Sequence, residues 1–383
     1  MRIHARHYET GELEEIVCEG SRIESVASPS INQPDVRAGW AAPALFDLQI
    51  NGCDGRSFNS DKLTVEDVRH VVDVCRRHGL SAFCPTLITN GFAALVHGFT
   101  TLARACEGDA SLAAALPAFH LEGPYISAED GPRGAHPKQF VRSPDWEEFC
   151  RLQEAADGRI RLVTLAPEQP GAIPFIERAA RSGVIIALGH TAADGKQIQD
   201  AILAGARLST HLGNGTHAVL PRHRNYIWEQ LAADELWASI ICDGHHLTPA
   251  VVRCIVRVKT PARAILTCDA SSLAGLPPGP YREWDQEFEV QPDGKVVVPG
   301  TDYLAGSGVF TDACIGNVIR FANVTLHDAV DMASRRPREL LGLPATRLAA
   351  GFPADLVLFD WREGGDFVVT ATVTAGRLQQ NVA

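Results

Sequence analysis

Eight short apolar runs, separated by stretches with helical periodicity, constrain the fold of this 383-residue chain more than any other feature. Strands that alternate with helices favour a parallel sheet, and eight such units predict closure into a (β/α)8 barrel of the TIM type. An open, doubly wound sheet is the alternative, but no GxGxxG turn follows an early strand. The predicted strands are Ala44–Ile50, Ala82–Ile88, Ala118–Leu121, Ile160–Leu165, Val184–Leu188, Arg207–Thr210, Ala238–Ile241 and Ala264–Thr267. The predicted helices are Thr64–His78, Ile173–Ser182, Gly195–Ala204, Tyr226–Asp234 and Pro249–Val258.

Both ends of the chain differ from this alternating middle, because they contain short runs of β-forming residues separated by turns. A polar, proline-containing stretch, Ser28–Gly39, separates the first three runs from the predicted barrel. The six runs are Arg2–Tyr8, Glu14–Glu19, Arg22–Ala27, Ala354–Asp360, Phe367–Ala375 and Arg377–Gln380. We therefore predict that residues 1–43 and 347–383 pair into one small β-sandwich and that residues 44–346 form the barrel.

Composition narrows the class of protein. Hydrophobic residues make up 45% of the chain and charged residues 21%, so a full core can form and disorder is not expected. A formal net charge of -11 repels phosphate backbones and argues against nucleic acid as a partner. The ten cysteines include no CxxC pair, which is typical of free thiols in a reducing compartment. Neither a signal peptide nor a membrane span is visible, so we expect a cytoplasmic protein without a membrane partner.

Polar and metal-capable residues follow most of the apolar runs. In a barrel the carboxyl ends of the strands converge on one face, where active sites form. We therefore expect these side chains to lie close together. The segments are Asp47-Leu48-Gln49-Ile50-Asn51-Gly52, His120-Leu121-Glu122-Gly123-Pro124, Gly189-His190-Thr191, Thr210-His211-Leu212-Gly213-Asn214, Asp243-Gly244-His245-His246 and Cys268-Asp269-Ala270.

One Glu and two His from separate strands are a suitable ligand set for a divalent metal such as zinc. Such a metal lowers the pKa of a bound water and polarises a carbonyl oxygen. A nearby Asp could take the proton from that water and pass it to a leaving amine. The residues alone thus indicate metal-assisted hydrolysis of an amide or a similar bond.

The ordered set of motifs resembles the N-acetylglucosamine-6-phosphate deacetylase family, and the resemblance extends over essentially the whole chain. The tail Gly351-Phe352-Pro353-Ala354-Asp355-Leu356-Val357 is similar to the ending of amidohydrolase-superfamily chains. The matching segments are Pro43–Cys53, His120–Pro124, Leu188–Thr191, Thr210–Leu212, Asp243–His246, Thr267–Ala270 and Leu304–Gly308.

The resemblance implies a metal site. Glu122, His190 and His211 would hold the metal. Gln49 and Asn51 stand near the metal, where many amidohydrolases carry a His-x-His pair. Because amides are poor zinc ligands, we expect one divalent ion per subunit, with zinc first and Fe, Co or Mn as alternatives.

The resemblance also implies roles around the substrate. Asp269 would be the general acid and base, and His246 would touch the substrate and help polarise the amide carbonyl. His136 resembles a family His that reaches the sugar. The expected reaction is hydrolysis of the acetamide of N-acetylglucosamine 6-phosphate to the free amine and acetate.

The segment after His211 departs from the family pattern. Where the family has an aromatic residue and then Asn-Ala-Met, this chain has Gly213-Asn214-Gly215-Thr216-His217. The family then offers an Arg that binds the sugar phosphate, often from the partner subunit of a homodimer. Here the backbone amides of Asn214 and Gly215 could meet a phosphate, and Arg222 or Arg224 could pair with it.

Several alternatives stay open at this point. The substrate could be an unphosphorylated N-acetylhexosamine, an N-acyl amino acid or a cyclic amide. The chain could be an inactive binding or scaffold protein, although that predicts a missing ligand or a missing Asp. Single residues also have structural interpretations: Asp269 as a helix N-cap, His136 as a surface loop residue, and Arg222 and Arg224 as solvated surface arginines.

Overall fold

The computed structural model describes residues 1–30, 32–283, 286–300 and 304–381. Its strands are β1 (Arg2–His7), β2 (Leu13–Glu19), β3 (Arg22–Ala27), β4 (Val36–Pro43), β5 (Leu45–Ile50), β6 (Gly52–Cys53), β7 (Arg56–Ser57), β8 (Leu80–Ile88), β9 (Phe119–Glu122), β10 (Ile160–Leu165), β11 (Ile185–Leu188), β12 (Ala206–Ser209), β13 (Trp237–Ile241), β14 (Ala264–Thr267), β15 (Gly279–Glu283), β16 (Gln286–Val290), β17 (Val296–Val297), β18 (Leu356–Asp360), β19 (Val368–Thr374) and β20 (Arg377–Gln380). Its helices are α1 (Val65–Arg77), α2 (Phe92–Gly108), α3 (Ala110–Ala115), α4 (Trp146–Ala155), α5 (Ala172–Arg181), α6 (Gly195–Ala204), α7 (Tyr226–Ala232), α8 (Pro249–Arg263), α9 (Thr311–Ala322), α10 (Leu326–Met332) and α11 (Arg335–Leu340).

The eight predicted strands form one parallel sheet, in the order β14-β13-β12-β11-β10-β9-β8-β5. The first and last strands meet where Ile50 bridges to Ala270, and the backbone amide of Asn51 donates to the carbonyl of Ala270 over 2.9 Å. The sheet is thereby closed, and the predicted (β/α)8 fold is confirmed.

Alternation along the strands divides the barrel interior into an apolar and a polar layer. Ala118, His120 and Glu122 are spaced by two residues along β9 and its approach, so their side chains share one face. Ala118 belongs to an apolar cluster with side chains from neighbouring strands, whereas His120 and Glu122 stand nearer the carboxyl end. The cluster also contains Phe46, Leu48, Ala82, Cys84, Leu162, Ala187, Leu208 and Ile265. The floor of the barrel is therefore apolar and its upper end carries the chemistry.

Helices surround the sheet, and α1 shows how the sequence specifies them. Thr64 caps its first turn, and the side chain of Asp67 reaches back to the backbone amide of Thr64 over 3.0 Å. The helix then buries Val68, Val71 and Cys75 on one face. All five predicted helices are present, and α8 continues past its predicted end at Val258 to Arg263.

Strands from both ends of the chain form a seven-stranded sheet, in the order β20-β19-β18-β4-β1-β2-β3. The six predicted terminal strands are present, and β4 lies in and beyond the polar stretch where no strand was expected. It joins the two halves, since it pairs in parallel with β1 and antiparallel with β18. The division of the chain at residues 43 and 347 stays a prediction.

A three-stranded antiparallel sheet, β15-β16-β17, is inserted between β14 and α9 and was not predicted. Phe288 of β16 reaches the cavity at the carboxyl end of the barrel.

Within the described ranges, no helix combines the length and the apolar character needed to cross a bilayer.

Candidate active site

A cavity of about 340 Å³ opens at the carboxyl ends of the barrel strands. Most of the residues singled out in the sequence line it: Asn51, Glu122, His136, His190, His211, Asn214, Gly215, His246 and Asp269. The convergence expected of the strand ends is therefore present.

Three side chains from the carboxyl ends of β9, β11 and β12 meet at one point in this cavity. Oε1 of Glu122 lies 3.2 Å from Nε2 of His190 and 3.0 Å from Nε2 of His211, and the two nitrogens are 3.1 Å apart. Ligand atoms around a tetrahedral zinc, at bond lengths of about 2.0–2.2 Å, lie roughly 3.3–3.6 Å from one another. The three residues present therefore fit a divalent ion with little rearrangement.

The hydrogen bonding of His190 makes its Nε2 available to a metal. Its Nδ1 donates to the carbonyl oxygen of Pro132 over 2.9 Å, which fixes the tautomer and leaves the lone pair on Nε2. Nδ1 of His211 is buried and has no hydrogen-bond partner in the described residues.

The charge of Glu122 is supported by its neighbours although the residue is buried. Burial works to raise the pKa of Glu122, but its close contacts with His190 and His211 outweigh it and hold that pKa well below its usual range. Burial likewise works to lower the pKa of His211, but Glu122 outweighs it and raises that pKa. A carboxylate thus stays ionised at the bottom of the cavity.

His190, His211 and Asp269 share an unusual backbone. Each follows the end of its strand by two residues and has a positive φ, of 51°, 29° and 54° respectively. Non-glycine residues in this region are uncommon and cost roughly 1–3 kcal/mol each. The backbone is therefore strained at the three positions whose side chains point into the cavity.

Asp269 is held by two side-chain amides from β5 and the residue after it. Its Oδ1 accepts from Nε2 of Gln49 over 2.8 Å and from Nδ2 of Asn51 over 2.7 Å. Burial, together with the charge of Glu122, raises the pKa of Asp269 to about 6. The same Nε2 of Gln49 also donates to Oε1 of Glu122 over 2.9 Å. Gln49 and Asn51 therefore position the carboxylates.

His246 is oriented by Asp243, to which the sequence motifs assigned no role of its own. Nδ1 of His246 lies 2.6 Å from Oδ2 of Asp243, and Oδ1 accepts the backbone amides of His245 and His246. Burial works to raise the pKa of Asp243, but its contacts with His246 outweigh it and lower that pKa to about 2. The pairing uses Nδ1 and leaves Nε2 for the cavity. His245 points elsewhere, towards the carbonyl of Asp293.

His136 is not a surface residue, so the structural interpretation given above for it is wrong. It is 5% exposed, and its Nδ1 pairs with Oγ1 of Thr89 at 2.8 Å. Burial and the neighbouring His190 lower the pKa of His136 to about 3, so its ring is neutral. Its Nε2 lies 3.9 Å from Oε2 of Glu122, and together with Glu122 and His190 it forms a group compact enough to hold a metal ion.

The residues expected near a phosphate are placed differently from one another. Asn214 and Gly215 line the cavity, but the backbone amide of Asn214 already donates to the carbonyl of His211 over 2.9 Å. Arg222 and Arg224 are exposed and do not line this cavity. No arginine in the described residues of one chain therefore reaches the site from the segment after His211.

Asp47 is a further residue that the sequence analysis left without a role. It is fully buried, and its carboxylate accepts from the backbone amide of Cys268 over 2.9 Å and from Oγ1 of Thr311 over 2.6 Å. It thereby ties β5 to the end of β14, which brings Gln49 to Asp269. An acidic residue inside an apolar strand was the signal that could have identified it.

Comparison with known proteins agrees with this geometry. The profile of the amidohydrolase family matches residues 40–378. N-acetylglucosamine-6-phosphate deacetylase from Homo sapiens is 35% identical, over 88% of this chain and 82% of that relative. N-acetylgalactosamine-6-phosphate deacetylase from Escherichia coli O157:H7 is 31% identical, over 83% of each.

Among solved structures, a mutant N-acetyl-D-glucosamine-6-phosphate deacetylase from Mycobacterium smegmatis, in complex with N-acetyl-D-glucosamine-6-phosphate, superimposes with a TM-score of 0.88. It is 30% identical, and the match covers 99% of this chain and 98% of that one. The chain belongs to the amidohydrolase family and, within it, to the N-acetylglucosamine-6-phosphate deacetylases that its motifs resemble.

Proposed function

We propose that this protein is a metal-dependent deacetylase that hydrolyses the acetamide of N-acetylglucosamine 6-phosphate to the free amine and acetate. The observation that carries the proposal is the meeting of Glu122, His190 and His211 within 3.2 Å of one another, beside the positioned carboxylate of Asp269. The names of the relatives supply the substrate class.

Glu122, His190 and His211 would hold one divalent ion, for which zinc is our first choice because the donors are imidazole nitrogen and carboxylate oxygen. The bound ion would supply Lewis-acid chemistry, activating water and polarising the amide carbonyl. His136 is then left to contact the substrate, since its Nε2 stands farther from Glu122 than the other two histidines do.

The remaining chemistry belongs to side chains of the cavity. Asp269 accepts a proton from the attacking water and returns it to the leaving amine, a role suited to a carboxyl with a raised pKa. Gln49 and Asn51 hold one oxygen of Asp269 in place. His246, fixed through Nδ1 by Asp243, presents Nε2 to the carbonyl oxygen of the acetamide.

The phosphate requires a second copy of the chain. The charged groups that line the cavity are the carboxylates of Glu122 and Asp269 together with histidines, and the lining includes no lysine or arginine among the described residues. A dianion would therefore lack a cation in one subunit. We propose a homodimer in which Arg222 or Arg224 of one copy reaches the cavity of the other, next to the amide of Gly215.

A second candidate substrate is N-acetylgalactosamine 6-phosphate. It is favoured by the relative from Escherichia coli O157:H7, whose identity to this chain is similar to that of the N-acetylglucosamine-6-phosphate deacetylases. The two sugars differ in one hydroxyl configuration, and the acetamide chemistry is the same for both.

We also propose that the protein works in the cytoplasm. All ten cysteines are free, and Cys53, Cys75 and Cys268 are among those buried near or beneath the site. Free thiols persist in a reducing compartment.

The deciding experiment measures acetate release from N-acetylglucosamine 6-phosphate, N-acetylgalactosamine 6-phosphate and unphosphorylated N-acetylglucosamine, with zinc supplied. We expect a strong preference for a phosphorylated sugar and loss of turnover after chelation, restored by zinc. Equal rates on phosphorylated and free sugar would contradict the phosphate site. Activity that survives complete removal of metal would contradict the mechanism.

A further inference from the structure

A second cavity, of about 970 Å³, lies at the end of the barrel away from the active site. Strand β8 extends from one cavity to the other. Ser81 near its beginning lines the second cavity, and Ile88 at its end lines the active site. The walls come from the terminal sheet on one side and from α1, α3 and α11 on the other. It therefore shares no lining residue with the site described above.

The charge of this cavity is opposite to that of the chain. Four arginines line it, against one carboxylate: Arg22, Arg76, Arg338, Arg377 and Asp355. The chain as a whole has 46 acidic and 35 basic residues. Oδ1 of the single carboxylate accepts the backbone amide of Ala375 over 2.7 Å. A local excess of positive charge on an acidic protein favours an anionic ligand.

Arg338 stacks against the barrel, and Asp355 acts on it only from beyond ion-pair distance. Its guanidinium lies over the ring of Phe46, 5.0 Å from the ring centre, and its hydrogen bond to Oγ of Ser81 is long, at 3.4 Å. Its Nε has no partner, and no carboxylate in the described ranges lies within ion-pair distance. Burial lowers the pKa of Arg338. A half-buried charge without an ion-pair partner is costly, and a bound anion would offset that cost.

Arg76, at the end of α1, provides a second anchor. Its side chain is 14% exposed and its Nε is buried without a partner. One terminal nitrogen donates to the exposed Asp73 over 3.3 Å, and the other donates to Oγ of Ser111 over 2.7 Å. Ser81 and Ser111 thus place two hydroxyls next to the two inner guanidiniums. Arg22 and Arg377 are exposed and stand at the mouth.

We propose that this cavity binds a small phosphate-bearing anion at the junction of the terminal sheet and the barrel. Guanidinium groups match the geometry of phosphate oxygens, and serine hydroxyls complete the coordination. The volume accommodates a sugar phosphate as well as the free ion. This site is separate from the catalytic one and does not depend on the substrate assigned above.

The test is calorimetric titration of the metal-loaded protein with inorganic phosphate and, separately, with glucose 6-phosphate. The variant is Arg338→Met, which keeps an unbranched side chain over Phe46 and removes the charge. The matched control is Arg336→Met on the same helix, because Arg336 pairs with Glu339 and does not line the cavity. We expect affinity to fall roughly 10- to 100-fold in Arg338→Met and to stay unchanged in the control.

Phosphate should also raise the Tm of the wild-type protein and of the control, and raise it less in Arg338→Met. If Arg338→Met does not fold, the affinity for phosphate is compared between the wild-type protein and Arg377→Ser, because Arg377 is exposed at the mouth of the cavity. Tighter binding of glucose 6-phosphate than of inorganic phosphate would identify a phosphorylated metabolite as the ligand. Equal binding of the two would identify the free phosphate ion as the ligand. Wild-type affinity in both Arg338→Met and Arg377→Ser, or no binding by the wild-type protein, would overturn the proposal.

Discussion

Nδ1 of His246 lies 2.6 Å from Oδ2 of Asp243, and this contact fixes which nitrogen of the imidazole faces the substrate cavity. The same carboxylate accepts the backbone amide of His246, so the side chain and the main chain of this loop are held together. A histidine anchored in this way needs no reorganisation when the carbonyl of the substrate arrives.

Replacement of Asp243 should therefore impair catalysis without emptying the metal site. We expect Asp243→Asn to lower kcat roughly 10- to 100-fold, because the amide no longer favours one orientation of the His246 ring. Steady-state kinetics and metal content measure the two effects. Asp293→Asn is the control, since Asp293 faces the other histidine of the pair from an exposed position. A similar loss in both variants would show that the loop, rather than this contact, matters.

Asp269→Asn removes the proton acceptor and preserves the shape. The new side chain can still accept from Gln49 and Asn51 through its oxygen, so the metal ligands should stay in place. We expect about 10²- to 10⁴-fold less turnover with unchanged metal content. Full activity in this variant would exclude Asp269 as the acid and base.

The pH dependence of kcat/KM should follow the same carboxyl group. Asp269 must be ionised to accept a proton, and activity is therefore lost as the pH falls through its pKa. The pKa of about 6 is that of the metal-free protein, and a bound cation would lower it, so the acid limb should lie at or below about pH 6. A profile measured on the wild-type enzyme should show this limb. Activity that increases towards acid would contradict the assignment.

Gly215 should be required for its lack of a side chain. A methyl group there would come within 2.7 Å of Nδ1 of His190, in a backbone with φ of +57°. We expect Gly215→Ala to weaken metal affinity roughly 10- to 100-fold by displacing that ring. Gly342→Ala is the matched control, because Gly342 has a similar φ of +62° and open space around it. The control should cost about 1 kcal/mol of stability and leave metal affinity unchanged.

The two arginines outside the cavity should affect only phosphorylated substrates. We expect the double variant Arg222→Ala/Arg224→Ala to raise KM for the sugar phosphate roughly 10- to 100-fold and to leave activity on the free sugar unchanged. Arg181→Ala, at another exposed position, is the control. Mixing this double variant with Asp269→Asn should restore part of the activity if each cavity takes its arginine from the other copy. An unchanged KM would remove both arginines from the substrate site.

The barrel could be predicted from sequence because its eight strands are apolar on both faces and end in polar residues. The inserted sheet β15–β17 could not be predicted from sequence, because the pairing of its strands depends on tertiary contacts rather than on local preference. Helix α2 was missed because Gly91 precedes it without a side-chain cap, and β4 because its Ser28–Gly39 approach is polar and contains a proline. Pairing with β1 and β18 overrides that local signal.

The motifs alone brought together the residues that we propose as metal ligands, but they did not identify the residues that hold the site together. Asp47 reaches Cys268 across more than two hundred positions of sequence, and Thr89 reaches His136 across 47 positions. The positive φ of His190 and His211 likewise leaves no mark in the sequence. In the proposed homodimer the role of Arg222 and Arg224 would depend on a second copy of the chain, which one sequence does not describe.

The position of β4 between β1 and β18 has a consequence for biosynthesis. The strands that complete this sheet, β18 to β20, are synthesised after the whole barrel, whereas their partner β4 precedes it. Until then β4 exposes an unpaired edge directly ahead of the first barrel strand. The edge of β4 therefore lacks a strand partner during the synthesis of more than three hundred residues, and an unpaired edge is a template for non-native pairing.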